Sequence, residues 1–318
     1  MRRRLLATIL AVTALSVTAL VGAAPATAAD PPPPGVAYVA IGDSVASGNG
    51  ILPYIKDDEP QCLRSTRSYP MLLAKSMGVS IATEACSGEG TSAIAGQLQE
   101  LVAANAFGTS TRLVTVTVGV NDVQWQGGAW PQALIACSSA SFVPPGSCQG
   151  ALYLSLLSLN PPPESGLPTL SQRIAMVIGA VRQLAPLAQI EITGYPVLFG
   201  QFAGTCNVGL LNVPEAGIRE PISYGAAEAQ GINQAVMAAN AMIAQGVALS
   251  GDPHAEYVDV NLVPPGVEGF AGHGLCDSGD AWISGLFPAT AKPRDRGFHP
   301  NPAGQRAYAS IVAAALAG

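Results

Sequence analysis

Short apolar runs separated by longer amphipathic segments organise this chain. The runs at Val36 to Ile41, Val79 to Ala82, Leu113 to Val118, Ile190 to Thr193 and Tyr257 to Val260 are too short for helices and predict five strands. Between them, apolar positions recur at helical spacing around Tyr69 to Met77, Ala93 to Ala103, Leu170 to Leu184 and Ala226 to Val247, and a last helix is predicted after Pro302. Strand and helix alternate, which is the pattern of a parallel α/β sandwich. Three stretches interrupt it: Cys137 to Leu167, Pro196 to Tyr224, and Leu262 to Gly297. Each contains cysteine, so these are expected to be ordered loops that shape a substrate site.

The first residues follow another logic. Three arginines, an Ala-rich apolar run and the small-residue pattern Ala26-Thr27-Ala28 predict a signal peptide over residues 1–29, leaving one domain over 30–318. No later run reaches the roughly 18 unbroken apolar residues of a membrane span, so no integral membrane segment is expected. Without Arg2, Arg3 and Arg4 the formal charge moves from −6 to −9, with 12 basic residues against 21 acidic. Such a balance argues against nucleic acid as a partner. The expectation is a secreted, extracellular monomer.

Six cysteines in an exported chain favour disulfides over a reactive thiol, and no CxxC or CxxH spacing suggests zinc. The sequence intervals make Cys62 with Cys86, Cys137 with Cys148, and Cys206 with Cys276 the economical pairing.

In a parallel sheet, ligands sit outside the carboxyl ends of the strands, so the residues after each apolar run carry the chemistry. The first run leads into Gly42-Asp43-Ser44, where a glycine permits a tight turn and the serine opens a helix with free N–H groups. After the second comes Cys86-Ser87-Gly88, whose small side chains let backbone N–H groups approach a substrate oxygen. After the third comes Gly119-Val120-Asn121-Asp122, with an amide able to donate into the same space. Gly194-Tyr195-Pro196 after the fourth reads as a turn that steers a loop over the site.

A serine hydroxyl needs a base, and the chain has three histidines. His299, on a loop before Pro300, is the candidate. His254 after Asp252-Pro253 reads as a surface turn residue, and His273 as a loop-stabilising or substrate-side histidine. Trp125, Trp130, Phe199, Phe202 and Trp282 are candidates to line an apolar acyl groove, or else local packing anchors.

Taken together, AIGDSVASG at Ala40 to Gly48, RSYP at Arg67 to Pro70, ACSG at Ala85 to Gly88, TVGVND at Thr117 to Asp122, HGLCD at His273 to Asp277 and FHPNPAGQRAYA at Phe298 to Ala309 resemble the GDSL, or SGNH, hydrolases. The resemblance is closest to the exported actinobacterial esterases and lipases with three disulfides, and it covers most of the mature chain. It implies a three-layer α/β/α sandwich with a five-stranded parallel sheet, of the flavodoxin-like kind, and sequential cysteine pairing. It also implies Ser44 as nucleophile, His299 as general base, and an oxyanion hole made of the Ser44 N–H, the Gly88 N–H and the Asn121 side chain. Neither cofactor nor metal is implied, and the partner is an ester or lipid substrate.

The chain departs from the family pattern at one position. Many members carry an aspartate three residues before the histidine, where this chain has Arg296. Asp295 or the Arg296 carbonyl is left to orient His299. Two rival classes are a catalytically silent exported binding protein on the same frame and a zinc deacetylase. The joint presence of the four chemical groups argues against the first, and the lack of clustered His and Asp ligands against the second.

Overall fold

The computed structural model describes residues 35–126, 130–213, 217–286 and 297–317, without the side chains of 124–126 and 213. Its centre is a sheet of five parallel strands, β1 (Tyr38–Gly42), β2 (Ile81–Thr83), β3 (Leu113–Thr117), β4 (Gln189–Thr193) and β7 (Ala255–Val258), in the order β2-β1-β3-β4-β7. β1 and β3 are buried along their whole length, as strands covered on both faces must be. Helices flank this sheet, so the α/β sandwich expected from the alternation is the one formed.

The helix α2 (Tyr69–Met77) and the last helix, α8 (Pro302–Ala315), pack together on one side. There Tyr69 and Tyr308 reach Thr117 and Thr193, whose hydroxyls meet at 2.7 Å. On the other side pack α3 (Ile94–Ala103), α6 (Leu170–Leu184) and α7 (Ala226–Ser250). The predicted bounds of α2 and α6 are reproduced. Ser68 and Thr169 start them in extended backbone, and Thr169 forms a full capping box with Gln172.

Two of the three expected loops are regular structure. Cys137 to Leu167 holds a helix, α5 (Ser147–Leu159). Its sequence, SCQGALYLSLLSL, is apolar or small on every side, so no helical stripe marks it. Pro196 to Tyr224 holds an antiparallel ribbon of β5 (Thr205–Val213) and β6 (Ile218–Gly225). A register shift at Asn207/Gly209 and a proline at 221 break the alternation that would have announced these strands. Leu262 to Gly297 is irregular over its described residues, joined to the fold by isolated bridges of Phe199 with Leu275 and Ile283 with Pro300.

The disulfides are Cys62–Cys86, Cys137–Cys148 and Cys206–Cys276, closing separations of 24, 11 and 70 residues. Among the described residues no helix is long and apolar enough to cross a membrane.

Candidate active site

The site is built at the carboxyl ends of β1, β3 and β4. β1 ends at Gly42, with φ 137°, where any Cβ would collide with the Thr117 backbone of β3. The Gln97 amide of α3 grips both main-chain polar atoms of Gly42, each at 2.8 Å. Asp43 follows, fully buried, its main-chain N–H donating to Thr117 at 2.9 Å and its Oδ1 capping the next helix by accepting from Val45 N at 2.9 Å. That helix, α1 (Ser44–Ser47), is a single turn closed by Gly48 in the left-handed region. Ser44 therefore sits where the chain has just left the sheet, on a turn fixed from both sides.

The strand-end loop after β2 is tied to the same turn. Cys86 N–H donates to Gly42 at 2.9 Å and Ser87 N–H to Cys62 at 3.1 Å, while the Cys62–Cys86 bond holds the two segments together. Gly88 has φ 86° in open space, so its conformation, and not crowding, is what requires glycine. Asn121 lies in a 3-10 turn after β3 and donates from Nδ2 to the Glu89 carbonyl at 3.0 Å. Its neighbour Asp122 is buried. It accepts from Thr91 N at 2.7 Å, Thr91 Oγ1 at 2.6 Å and Arg173 Nε at 3.0 Å. Asp122 thus fastens the Asn121 turn to the 88–91 loop and to α6.

His299 is half-buried, and its Nδ1 lies 2.8 Å from the Gly297 carbonyl. Its own carbonyl accepts from Ser284 N, and Phe298 N donates back to Ser284, at 2.9 and 2.8 Å. Asn301 then caps α8 through Ala303 and Gly304 and reaches Ala281 with its Nδ2. Asp295 and Arg296, the residues expected to orient His299, lie outside the described residues. The Gly297 carbonyl is a contact that sequence reasoning did not single out.

Ser44, Gly88, Asn121 and His299 all line one cavity of about 420 Å³. The rest of its wall is mostly apolar: Trp130, Leu134 and Ile135 from α4 (Trp130–Ala136), Leu211 from β5, Ile222 and Tyr224 from β6, Val236 from α7, and Phe298. Of the aromatic residues considered for an acyl groove, Trp130 lines the cavity. Phe199 and Trp282 are packing residues, the first 4.9 Å from Tyr224 and the second 5.4 Å from Phe270 between ring centres. Phe202 stands outside the lining, and the Trp125 side chain lies outside the described residues.

The other histidines are elsewhere. His273 stacks on Trp282 at 3.7 Å and meets the Asp280 carbonyl at 2.9 Å, which makes it loop-stabilising. His254 is an exposed turn residue whose N–H donates to Asp252. Among the described residues, carboxylates of Glu59, Glu84 and Glu100 converge within 4.8 Å. Arg64 ion-pairs with Glu59 and Glu84 there, at 2.8 and 2.7 Å, and none of these residues lines the cavity.

Tyr195, read from the sequence as a loop-steering turn residue, also lines the cavity, and its hydroxyl donates to Oδ2 of Asp43. Burial pushes the Asp43 carboxyl up to about 7, against the lowering effect of the Tyr195 and Val45 hydrogen bonds.

Residues 40–307 match the GDSL-like Lipase/Acylhydrolase family. The chain is 30% identical to a lipase of Streptomyces rimosus over 269 residues, covering 84% of this chain and 82% of that protein. It is also 30% identical to Lipase 2 of Streptomyces coelicolor over 318 residues, 97% and 95% of the two chains. Among solved structures, it is similar to phospholipase A1 from Streptomyces albidoflavus NA297, at 26% identity and TM-score 0.65 over 88% of this chain and 99% of that one. The extracellular lipase from Streptomyces rimosus is similar at 27% identity and TM-score 0.64, over 87% and 98%.

Proposed function

The chain belongs to the GDSL-like lipase/acylhydrolase family of carboxylic ester hydrolases, and from that premise we propose that it is a secreted esterase acting on lipid or other acyl esters. The observation that carries this reading is the shared cavity, which Ser44, Gly88, Asn121 and His299 all line and whose remaining wall is mostly apolar.

In the proposed reaction Ser44 Oγ attacks the ester carbonyl while His299 takes its proton. With Nδ1 against the Gly297 carbonyl, the neutral ring carries its proton there and offers Nε2 as the base. The developing oxyanion is held by the Ser44 N–H, the Gly88 N–H and the Asn121 amide. His299 returns the proton to the departing alcohol, leaving an acyl ester on Ser44. Water, deprotonated by the same ring, then attacks the acyl carbonyl, the bond to Ser44 Oγ breaks, and His299 returns the proton to that oxygen as the acid leaves. The chain's own residues supply every group in these steps. The acyl chain lies along Trp130, Leu134, Leu211 and Ile222. Residues 1–29 serve as the export signal, and residues 30–318 act outside the cell as a monomer.

Hydrolysis of p-nitrophenyl esters of graded chain length, with Ser44→Ala and with EDTA in parallel, tests the reading. Activity is expected to survive EDTA and to vanish in the variant. Turnover retained by Ser44→Ala removes the nucleophile assignment, and loss on chelation revives the zinc deacetylase.

A further inference from the structure

Tyr195 lies just beyond β4, and its main chain is held by two asparagines. Its N–H donates to Asn240 Oδ1 at 2.7 Å, and its carbonyl accepts from Asn240 Nδ2 at 2.8 Å and from Asn261 Nδ2 at 2.9 Å. A backbone anchored this firmly aims the ring, which is 4% exposed, under the Ser44 turn. The phenol hydroxyl donates to Oδ2 of Asp43 and accepts from Val120 N at 3.4 Å. Asp43 immediately precedes Ser44, and Val120 immediately precedes Asn121. One oxygen on β4's extension therefore touches the residues before two proposed catalytic groups that leave the sheet on two other strands, β1 and β3.

We propose that Tyr195 is a positioning residue for acyl transfer. Resting on the Ser44 reading above, it fixes the spacing between the Ser44 turn and the Asn121 amide, acting through Asp43 and Val120. Asp43 completes the relay. Its Oδ1 holds Val45 N–H at the start of α1, so a shift of the carboxylate is passed to the turn that carries Ser44. Asp43 is fully buried, and without the phenol one of its oxygens loses a short-range donor. It would then either reorient or drag α1 toward another donor.

Steady-state kinetics of Tyr195→Phe, Asp43→Asn and the double variant, beside Ser44→Ala, test the proposal. Phenylalanine removes one oxygen and keeps the ring, and asparagine keeps the oxygen that accepts from Val45. Tyr195→Phe is expected to lower kcat roughly 10- to 100-fold, the scale of a small misplacement of reacting groups, with KM within about twofold. The double variant is expected to be no slower than the slower single variant, because both substitutions break one relay. A kcat for Tyr195→Phe within about twofold of the parent overturns the proposal. So does a loss confined to KM, or losses that simply multiply in the double variant. Should Tyr195→Phe not fold, Asp43→Asn alone decides, and an unchanged kcat there overturns the proposal equally. Activity surviving Ser44→Ala overturns the nucleophile assignment and this inference with it, whereas an inactive Ser44→Ala beside an unimpaired Tyr195→Phe overturns this inference alone.

Discussion

Asn121 donates one Nδ2 hydrogen to the Glu89 carbonyl at 3.0 Å while its side chain borders the cavity. An amide nitrogen carries two hydrogens, so one is left for a substrate oxygen, already aimed by the bond the other makes. Asn121→Ala is therefore expected to cost roughly 10²–10³ in kcat. The stability lost should be only about 1 kcal/mol, the net worth of one hydrogen bond at a half-buried position. Turnover on p-nitrophenyl butyrate read beside a thermal melt separates the two effects, and wild-type turnover would remove Asn121 from the proposed oxyanion site. As candidates, Ser44, Gly88, Asn121 and His299 were legible because each stands at a sequence landmark, a strand end or a loop before a helix that Asn301 caps and Pro302 opens. Tyr195, Gln97 and Asp122 were not, since their partners are distant along the chain: 152 residues separate Tyr195 from Asp43, and 55 separate Gln97 from Gly42. A buried aspartate in Gly-Asp-Ser does require donors, but the sequence does not say which distant hydroxyl supplies one.

At the scale of elements, the sheet and the site diverge in how they were encoded. The five parallel strands coincide with short apolar runs in the sequence, and those runs located all of them to within a few residues. The apolar wall of the cavity comes instead largely from α4, just ahead of the first stretch read as a loop and assigned no element, and from the β5–β6 ribbon inside the second. Their apolar side is shared with a cavity, and α5, packed against α4, is apolar or small all round, so neither strand nor helix period was visible. On the proposed function, in which the acyl chain lies along this wall, chain-length preference is a property of the ribbon. Leu211 on β5 lines the cavity and is only half-buried, so a larger side chain there fills the space without overpacking the core. Leu211→Trp is expected to cut kcat/KM on octanoyl esters about tenfold or more, given roughly 0.8 kcal/mol for each methylene denied burial. Acetyl esters should be hydrolysed within about twofold of the wild-type rate. A profile lowered equally at every chain length would place the acyl chain elsewhere.

Over the whole molecule, the burial that assembles this site also leaves acidic groups inside the fold. Asp43 is one. Glu191 is another, fully buried on β4 with Glu256 beside it in register on β7. Burial pushes the Glu191 carboxyl up to about 7, the Gln189 side chain opposing the shift and the Glu256 charge adding to it. For Asp43, with Tyr195 and Val45 as donors and Asp122 as the nearby like charge, the result is also about 7. Unfolded, these groups lose their protons near ordinary values of 3.8 and 4.5. The folded chain thus binds more protons than the unfolded chain between those values and about 7. Their contribution to stability is complete below the unfolded values and is lost as pH rises through about 7, the opposite of a salt-bridged carboxylate. The melting temperature is accordingly expected to fall between about pH 5 and pH 8. Glu191→Gln keeps the shape and removes one of the two titrating groups, and Glu191 is not among the residues that line the cavity. That variant should melt roughly 2–4 °C above wild type at pH 8 and close to it at pH 5, with esterase activity retained. A variant whose melting curve falls with pH as steeply as wild type would mean that Glu191 contributes nothing to that fall.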